Sequence, residues 1–90
     1  DVYKRHTSNH IFSYIELDEQ HAIIEVAVPE DWQGRSIGEL DIRRKYGVNI
    51  LGVKRENKTD VNISPETVLD ADMTLLVLGE NQKLKKHFRL

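Results

Sequence analysis

Residues 34–55 read GRSIGELDIRRKYGVNILGVKR, and this stretch decides the fold. Ser36 and Glu39 make the pattern of a capping box, in which the Ser36 hydroxyl accepts from the Glu39 N–H and the Glu39 carboxylate returns to the Ser36 N–H. Gly47 is the residue type that most readily takes the left-handed conformation just past a helix end. The apolar residues that follow are mostly branched, as in strands. The stretch therefore predicts one helix over 37–46 that leads directly into a strand.

The rest of the chain predicts further strands and one more helix. Apolar patterns place strands at 11–17, 22–28 and 73–78, a hairpin with arms 48–55 and 60–63 around the loop 56–59, and a short helix at 81–90. The strand at 73–78 is apolar almost throughout, which predicts burial on both faces. We expect Trp32, in the loop 30–35, to cover one end of the core. The element order predicts a small α+β domain with a capped central helix and a C-terminal helix.

Side-chain directions follow from these elements. In the first strand, one face should carry Ile11, Ile15 and Leu17, and the other Phe12, Tyr14 and Glu16. In the second strand, one face should carry Ala22, Ile24, Val26 and Val28. In the central helix, Ile37, Leu40 and the stem of Arg44 should share one side. Ile42 pairs with Tyr46 on another side, which predicts that Ile42 sits at a surface covered by something else.

Composition indicates one small globular domain. The 90 residues are 31% charged and 39% hydrophobic, as in ordinary globular domains. A net charge of −2 makes nucleic acid an unlikely partner, because its binders are usually basic. No apolar stretch approaches the roughly 18 residues of a membrane span, so we expect no direct membrane insertion. The polar residues 1–11 predict a linker or the end of a preceding element, with the domain itself at 12–90.

Catalysis and metal binding find little support in the residues. The absence of cysteine excludes disulfides and thiolate metal sites. No serine lies in a nucleophile elbow, and no glycine-rich phosphate-binding loop is present. His6 and His10 are four residues apart, but no carboxylate completes a metal site beside them. We expect His21 and His87 to be solvated. The sequence therefore predicts no enzyme, no catalytic residue and no metal site.

Five basic residues, at the end of the predicted helix and at the end of the strand that follows it, have two interpretations. They are Arg43, Arg44, Lys45, Lys54 and Arg55. In the first interpretation, cations stabilise the helix C-terminus and keep the strand end soluble. In the second, one arginine, held by the rigid helix, offers its planar fork to a phosphate. The roles of Asp41 and Asn49 are open in the same way. Core burial is the default for Ile37, Ile42, Ile50 and Pro65.

Two stretches, 34–55 and 64–79 (SPETVLDADMTLLVLG), carry a resemblance to a known family. Their pattern is a Gly-x-Ser-ϕ-x-Glu-Leu helix start, an Ile-Arg-x-Lys-Tyr-Gly-ϕ-Asn-ϕ junction and a closing Leu-Leu-Val-Leu-Gly strand. The chain resembles the C-terminal ligand-binding domain of RCK proteins, also called TrkA-C, which regulates bacterial potassium transport. Ala71 departs from the Gly-Asp that many members have in this turn, while Asp72 keeps the acid.

Within this family, the chain is similar to the gating subunits of Ktr potassium uptake systems. The resemblance implies a TrkA-C fold and a two-fold homodimer that binds one cyclic di-AMP at its interface. It implies a membrane-embedded potassium transporter subunit as the partner of the full-length protein. It also implies a cytoplasmic location at the inner face of the cell membrane, through that partner, and no cofactor besides the ligand.

The resemblance also implies a role for each site residue. By position, the adenine pockets would be lined by Ile37, Ile42, Ile50 and Pro65. Asp41 and Asn49 would hydrogen-bond base or backbone edges, and Arg43, with Arg44 beside it, would face the phosphates. A two-fold site can present the same arginine to both phosphates of the ligand. The alternative is a ligand-independent dimerisation module of a cation channel, antiporter or transcription regulator, in which Ile42 and Ile50 pack an interface and Arg43 is a cap.

Overall fold

A five-stranded antiparallel sheet frames the domain in the computed structural model, which describes residues 11–88. The elements in chain order are β1 (Ile11–Glu16), β2 (His21–Ala27), β3 (Arg35–Ser36), α1 (Ile37–Leu40), α2 (Ile42–Tyr46), β4 (Val48–Arg55), β5 (Lys58–Asp60), β6 (Val68–Leu69), β7 (Thr74–Glu80) and α3 (Asn81–Phe88). The main sheet has the strand order β1-β2-β7-β4-β5, and β3 pairs with β6 separately. This architecture confirms the predicted α+β class.

The core lies between the main sheet and the helices. Its buried side chains include Ala22, Ile24, Val26, Val28, Leu40, Ile42, Val48, Leu75, Val77, Leu84 and Phe88. Full burial of one large apolar side chain contributes about 1.5–3 kcal/mol. Trp32 ends a single 3₁₀ turn and packs against Tyr46 and Phe88, with ring centroids 5.0 and 5.6 Å away. Trp32 therefore covers one end of the core, as predicted.

The predicted side-chain directions hold for β2 but not for β1. The pairing of β1 with β2 shifts register between Ile11 and Ser13. Ile11 is buried, whereas Ile15 and Leu17 are 53% and 52% exposed. A bulge adds one residue to a strand and so reverses the alternation of faces beyond it. The expectation that Ile11, Ile15 and Leu17 share a face is therefore wrong. The linker predicted for 1–11 lies outside the described residues except for Ile11, which begins β1.

The strand β7 is buried on one face only, which corrects a second prediction. Leu75 and Val77 are fully buried on the face that the helices cover. Leu76 and Leu78 are only partly buried, because they point to the opposite face of the sheet. The apolar run had indicated burial on both faces.

The hairpin of β4 and β5 is tighter than predicted. Arg55 pairs with Lys58, so the loop has two residues, Glu56 and Asn57, instead of the predicted four. Both loop residues have positive φ values, 52° and 65°. Two-residue turns of this kind match the right-handed twist of the strands. Residues 61–63, predicted as part of the second arm, follow β5 as irregular chain.

The short pairing of β3 with β6 was not predicted. Arg35 pairs with Leu69 and Ser36 with Val68. Two further backbone bonds continue this contact, from the Ile37 N–H to the Thr67 oxygen at 2.9 Å and from the Gly38 N–H to the Pro65 oxygen at 2.8 Å. The loop after β5 is thereby fixed against the start of α1.

The central helix is interrupted at Asp41, which corrects the prediction of one continuous helix. Asp41 has φ 52° and ψ 49°, a left-handed conformation, and separates α1 from α2. The Ser36 hydroxyl accepts from the Glu39 N–H at 3.1 Å, as predicted. The Glu39 carboxylate, however, accepts from Arg35 at 3.2 Å rather than from the Ser36 N–H. Gly47 ends α2 with φ 71°, as predicted.

The interruption changes which side chains face the core. Leu40 and Ile42 are each 3% exposed, while Arg43 and Arg44 are exposed. The stem of Arg44 therefore does not share the apolar side, and Ile42 lies in the core of the domain itself instead of at a surface that something else covers. Both expectations are wrong for the same reason, the left-handed residue between the two helices.

The C-terminal helix α3 packs on the sheet through Leu84 and Phe88. Its first residue, Asn81, donates from its backbone to the Gln20 oxygen at 2.7 Å and accepts from Tyr14 through its side chain at 3.1 Å. Within residues 11–88, none of the helices has the length and apolar character that crossing a membrane requires.

Candidate ligand-binding site

The junction of α2 and β4 brings Arg43 and Asn49 together. The Nε–H of Arg43 donates to Oδ1 of Asn49 at 2.8 Å. Among the described residues, no other hydrogen bond or ion pair engages the Arg43 guanidinium, so its two terminal amino groups remain available to a ligand. A planar guanidinium with free terminal groups is suited to a phosphate or carboxylate.

This pair lies beside an open segment of sheet edge. Residues 48–50 of β4 pair with β7 on one side. On the other side, β5 pairs only with residues 53–55 of β4, so within the described chain no strand flanks 48–50 there. The site is therefore accessible from the edge of the sheet.

Asp41 and Arg44 form a second polar pair. The Nε–H of Arg44 donates to Oδ2 of Asp41 at 2.7 Å. The Arg44 side chain is 86% exposed. An exposed pair of this kind contributes at most about 1 kcal/mol to stability. The Asp41 carboxylate thus accepts from a side chain of the helix that Asp41 precedes, three residues further along the chain.

The predicted apolar residues occupy different environments. Ile37 and Ile50 are partly buried at the margin of the core, and Pro65 is exposed. These three can offer apolar surface to a ligand or partner. Ile42, in contrast, belongs to the core itself at 3% exposure, which confirms the default prediction of core burial for this residue, whereas the same prediction is wrong for the exposed Pro65.

Gly38 is a residue of this region that sequence reasoning missed. A Cβ atom placed on Gly38 would lie 2.9 Å from Cβ and 3.0 Å from the backbone oxygen of Pro65, which is too close. Glycine is therefore required where α1 meets the loop 64–67. The available signal was a glycine inside a helical pattern, which often marks a close backbone approach.

The histidines lie away from this junction. His87 packs edge-on against Tyr46 with ring centroids 4.9 Å apart, so it is partly buried instead of solvated. Burial, together with the charges of Lys86 and Lys83, holds the pKa of His87 below its usual value. His21 is partly exposed and contacts Asp18 at 3.0 Å.

The pKa of the Asp18 carboxyl is lowered, first by the backbone N–H of Gln20 and then by the His21 side chain. Over residues 11–88, His, Asp and Glu side chains nowhere gather in a group of three that could hold a metal ion. His6 and His10 lie outside the described residues.

Comparison with known proteins identifies the domain. The model of the TrkA-C domain family matches residues 22–90. The chain belongs to the TrkA-C domain family. This TrkA-C domain is 35% identical over 72 residues to the Ktr system potassium uptake protein C of Bacillus subtilis (strain 168), a match covering 80% of the chain and 33% of that protein.

A second relative is the Ktr system potassium uptake protein A of the same organism, 25% identical over 80 residues, or 89% of the chain and 36% of that protein. The TrkA-C domain thus spans about a third of the length of these two curated relatives.

Solved structures share the fold of this TrkA-C domain. The RCK domain of GsuK superposes with a TM-score of 0.75 at 27% identity, covering 93% of this chain and 18% of that chain. The RCK C domain of the potassium transport protein KtrA, solved in complex with cyclic diadenosine monophosphate, superposes with a TM-score of 0.70 at 32% identity, covering 77% of this chain and 81% of that chain.

Proposed function

We propose that this TrkA-C domain is a regulatory domain that binds cyclic di-AMP at the two-fold interface of a homodimer. The observation that carries the proposal is the Arg43–Asn49 contact, which holds an exposed guanidinium at the open edge of β4 by its Nε alone. Arg43 is exposed, so a phosphate can accept two parallel hydrogen bonds from its terminal amino groups.

The surroundings of Arg43 support the same ligand. Ile50 follows Asn49 on β4, and Pro65 contacts Gly38, the residue after Ile37, at the start of α1. Apolar surface next to a cation suits a ligand with flat bases and anionic phosphates. The KtrA domain solved in complex with cyclic diadenosine monophosphate is 32% identical to this chain, which also supports the proposal.

The symmetry of the proposed ligand supports the two-fold arrangement. Cyclic di-AMP carries two equivalent phosphates and two equivalent adenines. An isologous dimer offers each residue twice, related by the same two-fold axis. One ligand per dimer would let each Arg43 serve one phosphate, with an apolar wall for each adenine.

The parent protein, in this proposal, controls a potassium transport system. The support is homology to two Ktr system potassium uptake proteins. The domain would act in the cytoplasm, reaching the inner face of the cell membrane through a membrane-embedded transporter subunit. Ligand binding needs only to favour one dimer geometry over another to be transmitted.

Isothermal titration of the purified chain with cyclic di-AMP tests the proposal, with cyclic di-GMP as the matched control. We expect saturable heat for cyclic di-AMP at one ligand per two chains, and a mass by light scattering of twice the chain. A dimer that gives no heat with cyclic di-AMP would instead establish the ligand-independent dimerisation module. A monomer without heat would reject both functions.

A further inference from the structure

The backbone of Asp41 is the most unusual feature near the site. Its φ of 52° lies in the left-handed region, which residues other than glycine seldom occupy. The Asp41 N–H donates to the Ile37 and Gly38 oxygens, each at 3.1 Å, and its own oxygen accepts from the Lys45 N–H at 2.8 Å. Asp41 therefore ends α1 and begins α2 within one residue.

This left-handed residue sets the rotational phase of α2. In an uninterrupted helix, successive side chains turn by about 100°. With Leu40 facing the core, Ile42 would then point about 200° away, while Arg43 and Arg44 would return to within about 60° of the core direction. The structure shows the opposite: Ile42 is buried, and both arginines are exposed.

The Asp41 carboxylate has a separate and local role. Oδ2 of Asp41 accepts from the Nε–H of Arg44 at 2.7 Å. The contact joins two side chains three residues apart in the chain. It lies at the surface, where the Asp41 side chain is 38% exposed. The Asp41 carboxylate thus engages Arg44, whereas Arg43 contacts Asn49.

We infer that Asp41 is a positioning residue for the ligand, acting through its left-handed backbone, which turns Arg43 outward onto Asn49. This inference rests on the proposed function and assigns Asp41 a role other than direct hydrogen bonding to the ligand. Conformations this rarely populated persist where the surrounding structure enforces them, often at functional sites.

Three substitutions at Asp41 separate backbone from carboxylate. Asp41→Gly keeps the left-handed conformation without steric cost but removes the carboxylate. Asp41→Asn also tolerates this conformation and keeps an acceptor for Arg44. Asp41→Ala removes the carboxylate as well and favours an uninterrupted helix. Lys45→Ala is the matched control, because it places alanine in α2 without changing Asp41.

Two measurements on the full chain test the inference. The first is the protection from hydrogen exchange of the Arg43 Nε–H, observed by NMR without ligand. The second is the affinity for cyclic di-AMP by titration. We expect Asp41→Gly and Asp41→Asn to retain both. Asp41→Ala should lose the protection and bind about tenfold more weakly, the factor that corresponds to the cost of a left-handed alanine.

Each result decides the inference. Equal loss of affinity in Asp41→Gly and Asp41→Ala would overturn it, because the carboxylate would then be what the ligand needs. Retained Nε–H protection in Asp41→Ala would overturn it as well. If Asp41→Ala does not fold, a loss of affinity in Asp41→Gly still overturns the inference. If the wild type does not bind cyclic di-AMP, the proposed function fails, and Nε–H protection alone decides the positioning role.

Discussion

The Nε–H of Arg43 and Oδ1 of Asn49 lie 2.8 Å apart across the junction of α2 and β4. The amide thus fixes the arginine at one atom and leaves its terminal groups directed outward. A side chain held in this way loses less conformational freedom when it binds an anion.

Replacing Arg43 by alanine should weaken cyclic di-AMP binding by about 1.5–3 kcal/mol, the range for a lost hydrogen bond to a charged group. Titration calorimetry measures the change. Lys45→Ala is the control, since it removes one positive charge from the same helix and should have a clearly smaller effect. Equal losses for Arg43→Ala and Lys45→Ala would show that only net charge matters.

The effect of Asn49 should depend on the presence of Arg43. If Asn49 acts by holding the guanidinium, Asn49→Ala weakens binding in the wild type but adds little to Arg43→Ala. A double-mutant cycle should then give a coupling energy between about 0.5 and 3 kcal/mol. Additive losses would mean that Asn49 contacts the ligand independently of Arg43.

Gly38→Ala should destabilise the fold even though alanine is the better helix former. The new methyl group would meet Pro65 at 2.9 Å, and overpacking of this kind costs about 1–3 kcal/mol. Urea denaturation measures the difference in unfolding free energy. Gln82→Ala, at an exposed position of α3, is the control and should be close to neutral. A Gly38→Ala variant as stable as the wild type would show that the loop 64–67 yields freely.

His87 should make the fold less stable as the pH falls below about 6.5. In the unfolded chain its imidazole takes up a proton near 6.5, while burial, Lys86 and Lys83 lower its pKa in the folded chain. The unfolded state therefore binds more protons in this window, and stability is lost as the pH falls from 6.5 through the folded pKa.

The measurement is the melting temperature at about pH 7.5 and about pH 5.5, either side of the usual histidine pKa. The drop between the two values should be smaller for His87→Gln than for the wild type. Lys86→Ala should also reduce it, because one of the charges opposing protonation is gone. An unchanged drop in His87→Gln would place the pH dependence in other groups.

Local signals explain which parts of the fold could be predicted. The hydroxyl of Ser36 and the left-handed Gly47 act on the backbone beside them, so both helix ends follow from sequence alone. In β2, apolar residues at every second position predict one buried face. The position of Trp32 could be predicted because a large aromatic side chain in an otherwise polar loop is expected to be buried against the core.

The remaining features depend on distant parts of the chain. The break at Asp41 allows Leu40 and Ile42, two residues apart, both to be buried, which one continuous helix cannot achieve. The bulge in β1 is set by its pairing with β2, and the two-residue pairing of β3 with β6 is too short to leave a pattern. The presence of Arg43 and Asn49 in the site could be predicted from the sequence. The hydrogen bond between their side chains could not be predicted, because it depends on the rotational phase of α2.

The close approach of Gly38 to Pro65 has a structural consequence. There is no space for even a methyl group between α1 and the loop 64–67 at this point. Pro65 thereby lies directly against α1, and Asp41 joins α1 to α2, the helix that carries Arg43. Only two short contacts therefore separate the apolar side of the site from its cationic side, the approach of Pro65 to Gly38 and the backbone of Asp41.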